Sequence, residues 1–91
     1  MKVFELKENQ GYIITSPATG MNILFDNRWK FNGDFEKPTF TPSMLVEYPT
    51  ENKETGHVRE HFFVKDGKIQ YLSDCHHDMA GQTVDMIECT W

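Results

Sequence analysis

The sequence predicts a mostly β fold: a small single-domain antiparallel sheet or sandwich, with a short helical turn near residues 76–81. Three observations predict it. No stretch of the 91 residues keeps apolar positions at three-and-four spacing beyond about two turns. Alternating or β-branched runs recur along the chain, punctuated by turn residues. Between two such runs stands Asp66-Gly67, a strong two-residue hairpin signal.

Taken in order, VFEL near the N-terminus alternates, and Gly11-Tyr-Ile-Ile-Thr is a β-branched and aromatic run. Ser16-Pro-Ala-Thr-Gly20 reads as a tight connection, after which Met21-Asn-Ile-Leu-Phe resumes extended structure, so these two runs form a hairpin. Trp29 and Phe31 alternate with polar neighbours before the turn at Asn32-Gly33. Pro38 and Pro42 keep their segment extended and deny it ladder donors, which suits a sheet edge or crossing loop. Ser43–Tyr48 is the next strand, and the polar, turn-rich residues 49–57 form the expected mobile loop. The hairpin about Asp66-Gly67 follows, then HHDMAG as one helical turn closed by Gly81, then QTVDMIE as a last short strand.

The formal net charge is −5, with acids scattered, which argues against a nucleic-acid surface. No apolar run approaches a membrane span, and MKVFELKENQ lacks the apolar segment of a signal peptide. A cytoplasmic location follows as the expectation, with Cys75 and Cys89 reduced.

Chemistry concentrates in Asp74-Cys75-His76-His77. With Asp66 and Gly67 as the loop, Lys65 pairs with Lys68, Val64 with Ile69, Phe62 with Tyr71 and His61 with Leu72. Parity then gives one face to Phe62, Val64, Ile69 and Tyr71, extended by Glu60, Cys75 and, after a bend, His77. His57, Arg59, His61, Phe63 and Leu72 take the other face. Zinc accepts thiolate, imidazole and carboxylate at about 2.0–2.3 Å, so Cys75, His77 and either His61 or Glu60 form a candidate metal set. No second C-x-x-C half-site accompanies it. In the structural reading, Cys75 is a small buried hydrophobe and Asp74 caps a turn. A Cys75–His dyad would need the imidazole within about 3 Å of the sulfur, and adjacent residues rarely aim at each other.

Three pieces in order, PTFTPS, HFFVKDGKIQYL and HDMAGQTV, resemble a small uncharacterised family of phages and prophages, over residues 29–84 with a weaker match at 12–23. Its members are often labelled ammonia monooxygenase or anaerobic dehydrogenase. The resemblance implies a zinc-ribbon-like β-domain with a CPxC knuckle where this chain has Ser16-Pro17-Ala18-Thr19. It also implies a cysteine at the position of Glu60, and a cysteine and histidine at those of Cys75 and His77. Three thiols are thus replaced, and Ser and Thr hydroxyls are poor zinc ligands. SPATG would then keep the shape of a former knuckle, with hydrogen bonds in place of the metal.

The function expected on this basis is that of a phage-type accessory protein in the host cell: a non-catalytic module binding a host or phage protein. Trp29 and Trp91 are its aromatic candidates, although Trp29 also suits a core. The alternative is a zinc-binding protein, structural or metal-dependent, built on Cys75, His77 and His61 or Glu60.

Overall fold

A computed structural model of the chain describes residues 1–49 and 57–91. It is mostly β, with two antiparallel sheets around one core. The first sheet holds β1 (Phe4–Glu5), β2 (Tyr12–Thr15) and β3 (Asn22–Phe25), in that order. The second holds β4 (Lys30–Phe31), β5 (Phe40–Pro49), β6 (His57–Lys65), β7 (Lys68–Tyr71) and β8 (Thr83–Asp85), each beside the next in sequence. A 3₁₀ turn, Lys7–Asn9, links β1 to β2.

Within each sheet, strands consecutive in sequence pair antiparallel, and the tight β2–β3 and β6–β7 turns return the chain beside the strand it has just left. At the Asp66-Gly67 turn both residues have positive φ, 51° and 76°, as the tightest hairpin loop requires. The expected register holds: Lys65 faces Lys68, Val64 faces Ile69 and Phe62 faces Tyr71. SPATG closes the β2–β3 hairpin, with Gly20 N donating to Ser16 O at 2.8 Å. The expected loop at 49–57 falls mostly on residues 50–56, outside the described residues; Pro49 and His57 pair as the ends of β5 and β6.

Alternation then builds the core. Ile14, Ile23 and Phe25 face inward from the first sheet, and Phe40, Met44, Phe62, Val64, Ile69 and Tyr71 from the second. Phe25 and Phe40 stack across the sheets at 4.2 Å between centroids, and Phe31 stacks on Phe40 at 4.7 Å. Trp29 is half-buried with its edge against Phe25, so its expected core role holds, whereas Trp91 is exposed.

Two details depart from expectation. Residues 76–81 make successive turns, His77 O to Ala80 N and Met79 O to Gln82 N, in place of a helical turn. Gly81 at φ 76° does close them. The second departure is in β5, which begins at Phe40 and runs straight through Pro42. A bulge allows this, for three residues separate Phe40 from Met44 while one separates their partners Val64 and Phe62. Inserting an even number of residues preserves parity, so Phe40 and Met44 both stay inward. The Thr41–Pro42 peptide is cis.

Gly11 shows how little room the sheet edges leave. Its φ is 127°, and a Cβ there would sit 2.4 Å from the Phe25 carbonyl oxygen. Gly11→Ala is therefore expected to lower unfolding free energy by about 2–3 kcal/mol. Urea denaturation checks this; a loss below about 0.5 kcal/mol would contradict it.

Candidate functional site

Strand β6 carries two adjacent residues with opposite fates. Glu60 points inward and is fully buried; His61 points outward. Each stands at the centre of its own group.

Around Glu60 converge hydroxyls from several elements. Ser16 Oγ donates to its Oε1, Thr19 Oγ1 to Oε2 at 3.0 Å, and Tyr48 Oη to Oε2 at 2.9 Å. Tyr71 Oη bonds Ser16 Oγ at 2.7 Å and accepts from the Ala18 N–H at 3.3 Å. The SPATG turn of the first sheet is thereby tied to β5, β6 and β7 of the second. A buried carboxyl without such donors would be costly, and here both its oxygens are served. Burial first, opposed by Thr19 and reinforced by Glu60, pushes the Tyr48 phenol up to about 12.

His77 lies beside this knot, its ring edge-on to Tyr71 at 4.6 Å and its Nε2 3.9 Å from Glu60 Oε1. That nitrogen is buried and has no hydrogen-bond partner among the described residues. Burial pushes the imidazole below its ordinary value, against the upward pull of the Glu60 and Asp78 carboxyls, and His76 lowers it further.

The four metal candidates do not converge. Glu60 and His77 approach each other, but Cys75 Sγ donates to His61 O at 3.2 Å and accepts from His61 N at 3.3 Å. His61 turns its ring to the outer face. Among the described residues, no group of three or more His, Cys, Asp or Glu side chains is placed to hold a metal ion. Cys75 and Cys89 are free thiols. Burial raises the Cys75 thiol, an environment that works against a thiolate nucleophile.

The outer face holds an ordered polar chain. His61 Nδ1 meets both oxygens of Asp74, at 3.2 and 3.1 Å. Arg59 Nη1 lies 3.6 Å from Asp74, and Arg59 Nε donates to Glu47 Oε1 at 2.8 Å. The His61 contact, then the Arg59 charge among smaller contributions, holds the Asp74 carboxyl below its usual range. Asp74 was expected to cap a turn. The hairpin register carried two residues past the His61–Leu72 position would have shown it on the histidine's face.

Ser43 completes this face. It directly precedes inward-facing Met44, so alternation turns it outward with Leu45, whose cross-strand partner is His61. Its carbonyl accepts from Trp29 Nε1 at 3.2 Å, which anchors the backbone just after the bulge. Sequence reasoning treated Ser43 only as a strand start, since the bulge that presents it has no residue signature beyond Pro42.

Two predictions follow from the buried knot. Glu60→Leu would take the carboxylate partner from the buried Ser16 hydroxyl and the half-buried Thr19 and Tyr48 hydroxyls, so unfolding free energy should fall by about 2–4 kcal/mol; a loss under about 1 kcal/mol would contradict the role given to Glu60. His77 predicts a pH dependence. Its folded value lies below the ordinary 6.5, so below that pH the unfolded chain takes up a proton that the fold refuses. Stability should fall as pH drops from 6.5, and the His77→Gln variant should show a shallower fall over that window.

The sequence from residue 17 to 72 matches a family model described as "bacterial ubiquitination-like system serine protease (BubE)". No curated protein and no solved structure matches. The matched stretch is more than half of the 91 residues, and the chain belongs to that family.

Proposed function

We propose that this member of the BubE family is a serine peptidase of a ubiquitination-like system, with Ser43 as nucleophile, His61 as general base and Asp74 as the group that orients it. The observation that carries the reading is the His61–Asp74 contact through Nδ1. A carboxylate on Nδ1 holds the proton there and leaves Nε2 as the acceptor a serine hydroxyl needs.

The choice of residues rests on two eliminations. Within residues 17–72 the sequence contains one serine, Ser43, and two histidines, His57 and His61. His57 pairs with Pro49, six residues along β5 from Ser43, or about 20 Å at strand rise. His61 pairs with Leu45, two residues away. Ser16, also near a histidine and a carboxyl, is fully buried and gives its proton to Glu60, so substrate does not reach it.

In the proposed reaction, Ser43 Oγ attacks the scissile carbonyl while His61 Nε2 accepts its proton. The tetrahedral adduct collapses as His61 returns that proton to the leaving amine, giving an acyl ester on Ser43. Water, deprotonated by His61, then releases the acid and regenerates the serine. The family description suggests protein substrates modified by, or processed as, a ubiquitin-like protein.

The network of contacts around Glu60 supports a second reading, that the knuckle implied by the family resemblance has exchanged metal for hydrogen bonds. Ser16, Thr19 and Glu60 occupy the three positions assigned to lost thiols, and both hydroxyls donate to the Glu60 carboxyl. A zinc set of Cys75, His77 and His61 or Glu60 remains the alternative, and metal content after chelator-free purification separates the two. A non-catalytic binding module, in a phage or its host, is the alternative to the peptidase.

A fluorophosphonate probe tests the peptidase. Wild type should be labelled at Ser43 by peptide mapping, with His61→Ala and Asp74→Asn slowing labelling by roughly 10²–10⁴-fold. Labelling confined to another residue, or absent, would remove Ser43 as the nucleophile and favour the binding module.

A further inference from the structure

Beside Ser43 runs a groove of about 640 Å³, lined by β3 on one side and β5 on the other, with Trp29 between. We propose that this groove binds an extended peptide, which adds as a strand to the edge of β5 at Leu45 and leads its scissile bond to Ser43. The proposal rests on the peptidase reading for the second clause only.

Backbone direction carries the inference. Leu72 N donates to His61 O at 2.8 Å, so the polar backbone groups of His61 point toward β7. Leu45 and His61 are therefore a non-hydrogen-bonded pair, and the N–H and C=O of Leu45 point away from β6. Among the described residues, that side of β5 is paired with β4 at Phe40 and Thr41 and meets the Trp29 indole at the Ser43 carbonyl. On the facing hairpin, Ser16 N donates to Met21 O, and alternation sends the backbone groups of Asn22 and Leu24 away from β2, out from the sheet edge. The groove thus presents strand-edge donors and acceptors from two sheets.

Side chains agree with this occupant. Leu24 is 47% exposed, Leu45 54% and Met21 43%, all at the groove. Exposed strand edges are ordinarily blunted by charge or by proline. On β5 Pro42 and Glu47 flank the edge, and between them Leu45, facing Leu24 of β3, leaves an apolar stretch that suits the side chains of an added strand. The same strand holds Ser43 two residues from Leu45, so a peptide paired there has its backbone within one or two residues of the hydroxyl.

The test uses a pool of acetylated heptapeptide amides randomised at every position. With the Ser43→Ala protein, which keeps bound peptide uncleaved, amide hydrogen exchange should slow by at least about tenfold at Leu45 on adding the pool. An amide-to-ester exchange at the Leu45 N–H, introduced by chemical synthesis, should weaken binding of the selected peptides about tenfold, the scale of one hydrogen bond. Its unfolding midpoint, compared with wild type, shows that the fold is kept. Wild type is separately incubated with the same pool and new amino termini are read by mass spectrometry. Cleavage without protection at Leu45 overturns the groove and leaves the peptidase standing. Protection without cleavage supports the groove and counts against the peptidase. Neither effect overturns both.

Discussion

The buried carboxyl of Glu60 pins the SPATG turn of the first sheet to the strands of the second. Its donors come from the SPATG turn and from Tyr48, and Tyr71 reaches the same knot through Ser16. Hydrophobic burial is non-directional and would tolerate several relative placements of the sheets. Hydrogen bonds buried beside the core are directional, and leaving one unmade costs far more than making it gains. The knot therefore selects one placement. It sets the β2–β3 hairpin against β5, and so it also sets the width of the groove between β3 and β5.

Strand alternation links this structural centre to the outer face. Glu60 and His61 are neighbours, so whatever fixes the first fixes the strand that carries the second. Cys75 adds to this from β7's far end by bonding both backbone polar groups of His61. The thiol thereby serves as a clamp on the histidine's backbone, while Asp74, the residue before it, holds the ring. The Asp74-Cys75 pair thus fixes His61 from two directions.

How much the residues reveal unaided varies with the physics involved. Hairpins with a two-residue loop declare their register, and from Asp66-Gly67 the faces of β6 and β7 follow by parity alone; Glu60 and Cys75 were placed inward on that basis, and both are buried. SPATG was legible as a turn that hydrogen bonds could hold. What stayed hidden depends on contacts between distant segments. Pro42 reads as part of an extended sheet edge or crossing loop, and the two-residue bulge that takes it into β5 and turns Ser43 outward has no signature of its own. Metal-ligand chemistry drew attention to Cys75 and His77 because their types are suggestive; the contacts instead give Cys75 to a backbone and His77 to an aromatic edge. Asp74 was read through its immediate neighbours, whereas its partner lies thirteen residues earlier.

The most direct measurement is the tautomer of His61, read from its ring nitrogen and proton shifts by nuclear magnetic resonance at neutral pH. An orienting Asp74 predicts the proton on Nδ1, with Nε2 a bare acceptor. A proton on Nε2, with Nδ1 unprotonated, would contradict the account, because that ring could not take a proton from the serine.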